Sequence, residues 1–434
     1  MRFLHTADWQ IGMTRHFLDA DAQARFTAAR IDAIRRLGAL AGEQGCEFVV
    51  VCGDVFETNQ LSRQTVGRAL EALATVPVPV YLLPGNHDPL DPVTIYRSPQ
   101  FVRDCPPHVH VLTSAEPVVV RDGVELIPAP WSGKSPGRDL VGAAVAGALG
   151  VSRMPSAGSE NPIRIVVGHG AVDVLDPDRA NPAAIALAPL EQELAAGRIH
   201  YVALGDRHSR TSVGSSGAVW YSGAPEPTAH REELPGDVLV VDLEHGEPPV
   251  VTPQHVGTWS FRTVRRELAA VEDVAALGRD LAAVPDKDRT VLRLALRGVL
   301  GVAAHADLAD LLEEQGEVFA ALYAWDRHSD VRVSADDAEL EHLGLGGFLS
   351  AAAEEMQQLA LAGVVDVADG APDADPNLAT DADPDLSDGA TDADPDLSGP
   401  DPLVWVFSSD PEPDAQSATD ALALLHRFSR EVTR

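Results

Sequence analysis

Over the first 250 residues the apolar positions fall into two alternating textures. Short unbroken runs, of the kind found in strands covered on both faces, occur in CEFVVVC (46–52), VPVYLLP (78–84), IRIVVG (163–168) and HYVALG (200–205). A shorter run, Phe3-Leu4, opens the chain and ends near His5. Between the first runs the period lengthens to that of a helix. Phe26, Ala33, Ile34, Leu37 and Leu40 predict a helix over 21–42, and Val66, Leu70 and Leu73 predict another over 62–75. VHVL, PVVV and VELIPAPW predict short strands in a meander, and AVWYSGAPE and DVLVVDLEHG add two more. The pattern predicts an α/β fold with strands on more than one sheet.

From about residue 260 the texture changes. A strand over 261–266, a helix over 271–283, the strand TVLRLALRG and a helix over 303–314 predict a smaller α+β domain. Residues 367–401 lose all periodicity and contain DADP three times. Their apolar surface is too small to offset chain entropy, which predicts a disordered acidic insertion. LVWVFSSD then resumes as a strand, and Leu422, Leu425 and Phe428 lie on one side of a last helix over 416–430. The expected division is a catalytic domain at 1–257, a second domain at 258–366, the insertion at 367–401, and the end of the second domain with the last helix at 402–434.

Charge complicates any functional reading. The net charge is −33, of which 15 negative charges lie in residues 366–415, leaving −18 for the rest. Lys134 and Lys287 are the only lysines. Such a surface argues against binding a phosphate backbone unaided, because that binding rests on Lys and Arg displacing counterions. No apolar run approaches the roughly 20 residues of a membrane span, and the first residues lack the pattern of a secretory leader. The three cysteines, Cys46, Cys52 and Cys105, are odd in number, and two flank or lie in a core strand. Free thiols in a reducing cytoplasm are therefore expected.

The chemistry sits at the strand ends. RFL leads to His5-Thr-Ala-Asp8-Trp-Gln10, and FVVVC to Gly53-Asp54. VYLLP leads to Gly85-Asn86-His87-Asp88, IVV to Gly168-His169, and YVAL to Gly205-Asp206-Arg207-His208. Taken singly, Asp54 reads as a turn residue, His169 as a hydrogen-bonded strand end, and GNHD as a polar loop. Together, five strands end in metal-competent residues, four of them after a glycine, at the carboxyl ends where α/β sheets bind ligands. The conjunction predicts a dinuclear metal site.

The order of these motifs resembles that of the calcineurin-like metallophosphoesterases. More narrowly, HTADWQIG, GDVFE, PGNHDP, YVALG and YSGAPE resemble the SbcD family of DNA-repair nuclease subunits, from residue 2 to about 260. The resemblance implies an α/β/β/α sandwich of two mixed sheets with a smaller α+β capping domain. It implies two divalent ions, one held by Asp8, Gln10, Asp54 and His208, the other by Asp54, Asn86, His169 and Asp206. His87 would act on the phosphoryl oxygens or the leaving group, with Asp88 orienting it. The family usually has histidine where Gln10 and Asp206 stand. Oxygen donors there favour Mn²⁺, then Mg²⁺, over Zn²⁺ or Fe.

The implied activity is metal-dependent exo- and endonucleolytic cleavage of DNA in double-strand-break repair, with an SMC-like ATPase of the SbcC type as partner and a homodimer as the assembly. Arg15, His16, Tyr96 and Arg97 are candidate DNA contacts beside the site. Trp131 reads as a loop anchor or interface residue, and Tyr221 as core. Two other functions fit the same residues: a small-molecule phosphodiesterase or phosphatase, which the acidity favours, and an inactive docking scaffold, which the two missing histidines suggest.

Overall fold

The computed structural model describes residues 1–150, 162–334 and Glu355. The expected insertion at 367–401, the strand LVWVFSSD and the last helix lie outside the described residues. The chain opens with β1 (Arg2–Thr6), α1 (Ala20–Glu43), β2 (Val49–Cys52), α2 (Arg63–Leu73) and β3 (Val80–Leu83). Next come α3 (Pro99–Asp104), β4 (Val109–Val111), β5 (Val118–Arg121), β6 (Val124–Pro128) and α4 (Leu140–Gly150). Then follow β7 (Ile163–His169), α5 (Leu187–Ala195), β8 (Tyr201–Gly205), β9 (Thr211–Val213) and β10 (Val219–Tyr221). β11 (Asp237–Asp242) and β12 (Val250–His255) precede β13 (Ser260–Leu268) and α6 (Val271–Ala282). β14 (Thr290–Leu300), α7 (Val302–Gly316), β15 (Ala321–Ala324) and β16 (Asp330–Val333) come last. Helix starts are capped as the side chains allow: Asp19 accepts from the Ala22 amide at 2.7 Å and Ser62 from that of Thr65 at 3.1 Å.

Two six-stranded mixed sheets are formed by β1 to β12. The first has the order β12-β11-β1-β2-β3-β4, the second β5-β6-β7-β8-β10-β9. β1 to β4 run parallel, with β11 antiparallel to β1. β6, β7, β8 and β10 are likewise parallel, flanked by antiparallel β5 and β9. The expected meander is not formed. VHVL becomes β4 and pairs parallel with β3 in the first sheet, whereas β5 and β6 pair in the second. The six-residue α3 supplies the crossover that parallel pairing requires, and it is too short to declare itself by periodicity.

Alternation along the strands builds four layers. Val49 and Val51 pack with Ile34, Leu37, Leu70 and Leu73 from α1 and α2. Phe48, Val50 and Cys52, on the opposite face, meet Ile165, Val167, Tyr201 and Ala203 between the sheets. Val166, Val202 and Leu204 then pack outward on Val141, Val145 and Leu190 of α4 and α5. Each such side chain contributes roughly 1.5–3 kcal/mol by leaving water, so both faces of each parallel core must be covered. The result is an α/β/β/α sandwich of two mixed sheets.

Two compact units are present. The first holds residues 1–264, 284–294 and 316–323, and hence both large sheets. Among the described residues, the second holds 265–283, 295–315 and those from 324 to 334. In it, Arg297–Leu300 of β14 pairs parallel with β16. Among the described residues no helix is long and apolar enough to cross a membrane, and Cys46, Cys52 and Cys105 are free thiols.

Candidate metal centre

The loops after β1, β2, β3, β7 and β8 converge at one edge of the sandwich. They are laced by backbone hydrogen bonds: the Asp8 amide donates to Gly53 O at 3.1 Å, Gln10 to Asp54 O at 2.9 Å, and Gly170 to Gly205 O at 3.1 Å. Convergence this tight strains the chain. Among the described residues five non-glycines have positive φ, and four stand here: Asp8 (53°), Gln10 (44°), Asp54 (53°) and Asp206 (100°). Each costs about 1–2 kcal/mol, and strain of this kind collects at functional sites. Two glycines make the approach possible. A Cβ on Gly53 would lie 2.1 Å from His169 Nδ1, and one on Gly85 would lie 2.1 Å from Asp54 Oδ1.

The side chains form one continuous cluster. Ligand-competent atoms of Asp8, Asp54 and His169, all buried, lie within 4.8 Å of one another. His169 Nε2 stands 3.4 Å from Asp54 Oδ2, 3.8 Å from Asp206 Oδ1, and 2.7 Å from Asn86 Oδ1. The Asp206 amide donates to both Asp8 oxygens at 3.1 Å. The Gln10 amide nitrogen donates to His208 Nε2 at 3.4 Å. His87 is anchored by its backbone amide on Asp54 Oδ1 at 3.0 Å, and its Nε2 is 4.0 Å from Asp54 Oδ2. All seven predicted ligands and His87 therefore meet in one place.

Both histidines predicted as ligands are oriented from behind. His169 Nδ1 donates to the Cys52 carbonyl at 2.8 Å, and Trp131 donates its indole N–H to the His169 carbonyl at 2.9 Å. Trp131 is thus the anchor of this strand end. His208 Nδ1 is 2.7 Å from Thr228 Oγ1 and 3.0 Å from Glu232 Oε1. Carbonyl and carboxylate oxygens only accept, so each Nδ1 carries a proton and each Nε2 is turned to the crevice. Glu232 and Thr228 escape sequence reasoning, since they lie 24 and 20 residues beyond His208 in an irregular loop. Glu57 does carry a sequence signal, closing the GDVFE motif. Its carbonyl accepts from His87 Nδ1 at 3.0 Å.

Electrostatically the cluster is an excess of buried acid. Burial pushes the Asp8 carboxyl up to about 7; Asp54 and Asp206 add to this while His208 and His169 oppose it. Burial also works against the Asp54 charge, yet His169 and His87 outweigh it and hold Asp54 below the usual carboxylate range. Asp206, with 37% of its side chain exposed, is raised by desolvation and by Asp54. Burial disfavours the charged forms of His169 and His208, but the surrounding carboxylates raise both. No Lys or Arg pairs with Asp8 or Asp54 among the described residues. The buried Gln10 Oε1 has no hydrogen-bond partner. Unneutralised carboxylates, anchored imidazoles presenting Nε2, and an orphaned amide oxygen together fit a divalent-cation site.

Other predicted residues are placed differently. Asp88 turns away from His87: its Oδ1 accepts from the Gly85 amide at 2.7 Å, and its Oδ2 from the Phe56 amide at 3.0 Å and the Tyr96 hydroxyl at 2.5 Å. It is a loop brace, and burial and Asp54 raise its carboxyl to about 6 against these donors. Tyr96, expected near incoming DNA, is buried with its hydroxyl committed to Asp88. Arg97 and His16 are exposed, His16 edge-on to Phe17 at 5.3 Å, while Arg15 is half-buried beside Glu57 and Arg30. Tyr221 is core, its hydroxyl donating to Gly170 O at 2.8 Å and accepting from Val172 N at 2.9 Å.

Residues 1–210 match the calcineurin-like phosphoesterase family. Among solved structures, the crystal structure of TT1561 of Thermus thermophilus is 11% identical, with a TM-score of 0.36, covering 59% of this chain and 98% of that one. A second crystal structure is 14% identical, with a TM-score of 0.34 and the same coverage. No curated protein matches the chain.

Proposed function

We propose, from the premise that residues 1–210 form a calcineurin-like phosphoesterase domain, that the protein is a metal-dependent DNA nuclease subunit acting in double-strand-break repair. The supporting observation is the meeting of Asp8, Asp54 and His169 ligand atoms within 4.8 Å at the joined strand ends. Asp8, Gln10, Asp54 and His208 would hold one divalent ion, and Asp54, Asn86, His169 and Asp206 the other, Mn²⁺ or Mg²⁺ by their oxygen content. When bound, such ions neutralise a phosphodiester oxygen and acidify a water for in-line attack.

The chain's own residues do the rest. Glu232 and the Cys52 carbonyl keep Nε2 of His208 and His169 turned inward. The Glu57 carbonyl holds His87 Nδ1, so that the imidazolium form presents its Nε2–H to the crevice. From there it donates to a phosphoryl oxygen or to the departing oxygen. Among phosphodiesters, DNA is favoured by the SbcD-like motif outside the ligand set, YSGAPE. The partner reading follows the same resemblance: an SMC-like ATPase of the SbcC type supplies the basic surface that a chain of net charge −33 lacks, on a homodimeric assembly in the cytoplasm. That same charge favours a second reading, a small-molecule phosphodiesterase.

The test is hydrolysis of linear duplex DNA by the purified chain with Mn²⁺ or Mg²⁺, against His87→Ala with matched metal content. Cleavage lost in the variant supports the nuclease. Hydrolysis of bis-p-nitrophenyl phosphate without DNA cleavage, with or without the ATPase partner, favours the small-molecule reading.

A further inference from the structure

Next to the metal-ligand cluster, wholly within the first unit, lies a cavity of about 380 Å³. Asp206 and His208 line it at the ligand cluster, Leu175 and Pro177 give it apolar wall, and Arg207 and Arg231 give it positive charge. Its size falls within the range of small-ligand sites, roughly 300–1,000 Å³, at the lower end, where one nucleotide fits.

The two arginines stand out in so acidic a chain. Neither forms an ion pair with a carboxylate among the described residues, although Asp206 and Glu232 share the cavity wall. Glu232 is already engaged by His208 and Thr228. Arg207 is also preset. Its Nε donates to Thr211 Oγ1 at 2.9 Å, which fixes the guanidinium plane and leaves the two terminal nitrogens for a ligand. Paired guanidinium donors match the oxygens of a phosphate or a carboxylate, and beside a phosphoesterase centre the phosphate is the group at hand.

A phosphate held by these arginines is not the reacting one, which must lie among Asp8, Asp54 and His169. A ligand filling both places carries two phosphates, as successive linkages of a nucleotide chain do. Building on the phosphodiesterase reading above, we propose that this cavity receives the nucleotide adjoining the scissile bond, with Arg207 and Arg231 holding its outer phosphate. The substrate class is then a nucleotide chain, not an isolated phosphodiester. The geometry also answers the charge problem locally, since two cations suited to strand binding stand at the site in a chain of net charge −33.

The experiment is titration calorimetry of the full chain with three dithymidine ligands, Ca²⁺ replacing a catalytic metal. One ligand has only the internal phosphate, one adds a 5′-phosphate, and one adds a 3′-phosphate. At least one added phosphate should tighten binding tenfold or more. Arg207→Ala and Arg231→Ala should each cut that preference below threefold, and Arg231→Lys should restore part of it. No preference at either end, or one that survives the double substitution, overturns the proposal. Hydrolysis of bis-p-nitrophenyl phosphate by the unmodified chain with Mn²⁺ reports on the catalytic reading separately. An arginine-dependent preference without hydrolysis upholds the cavity and removes the catalytic reading; hydrolysis without a preference does the reverse.

Discussion

Glu232 Oε1 lies 3.0 Å from His208 Nδ1, with both side chains largely buried. The carboxylate holds the ring so that Nε2 faces Gln10, and it raises the basicity of the imidazole. Glu232→Gln keeps the shape and removes the charge. Metal affinity should fall 10- to 100-fold, the usual effect of losing such a support, measured as Mn²⁺ retention in equilibrium dialysis. Unchanged retention would show that the Glu232 charge does not support metal binding.

Tyr96 is buried and tied to the loop brace Asp88. Its hydroxyl donates to the buried Asp88 carboxylate, which also braces the Gly85 and Phe56 amides. Tyr96→Phe removes one donor to a buried charged acceptor, a loss of about 1–3 kcal/mol in urea unfolding. DNA affinity, measured on the same preparation by fluorescence anisotropy, should stay within twofold. A large drop in affinity at unchanged stability would return Tyr96 to the binding surface.

Gly53 has φ +92°, and a Cβ there would meet the His169 ring at 2.1 Å. That ring is pinned between the Cys52 carbonyl and Asn86 and has nowhere to go. Gly53→Ala should destabilise by about 2–4 kcal/mol, combining backbone strain with overpacking, and should abolish metal retention. Gly123→Ala is the control: it also has positive φ (+75°), but nothing lies within 4 Å of its Cβ. It should lose only the strain component and keep its metal.

His5 sets part of the acid sensitivity. Burial drives its imidazole down to about 3, although the Leu204 carbonyl pulls the other way. A histidine with a depressed folded value contributes stability that is whole above its unfolded value, roughly 6.5. That contribution fades as pH falls towards 3, because the unfolded chain takes up the proton first. The slope from this one group is at most about 1.4 kcal/mol per pH unit. His5→Gln should be less stable at neutral pH, and its difference from the unmodified chain should shrink steadily in urea titrations as pH falls from about 6.5 to about 4. Parallel curves would exclude His5 as a source of the acid response.

How much of this was legible in advance depends on the range of the interaction. The buried strands were legible because Val49, Val51, Val166 and Val202 sit in unbroken apolar runs, and two-sided burial is written into consecutive positions. The metal-competent residues were legible because Gly53, Gly85, Gly168 and Gly205 punctuate those runs directly before them. The predicted meander does not form because pairing partners are chosen in space: β4 meets the open edge of β3, which no periodicity in VHVL encodes. Asp88 braces its own loop instead of His87 for a similar reason, as adjacency in sequence says nothing about which way a carboxylate turns within a tight loop.

From sequence alone come the α/β alternation, the five strand ends and the residue types that favour hard cations, since all rest on local periodicity, turn chemistry and donor identity. Only the tertiary structure decides the rest. It brings Asp8 to Asp54 and His169, sets His208 against Glu232, places Cys52 O behind His169, and opens a cavity in which Arg207 and Arg231 share a wall with the ligand cluster. These contacts join distant positions: 24 residues separate His208 from Glu232, and 198 separate Asp8 from the Asp206 amide. They exist because two independently twisted sheets stack with their carboxyl edges aligned, and that stacking is a property of packed layers that no single stretch of chain contains.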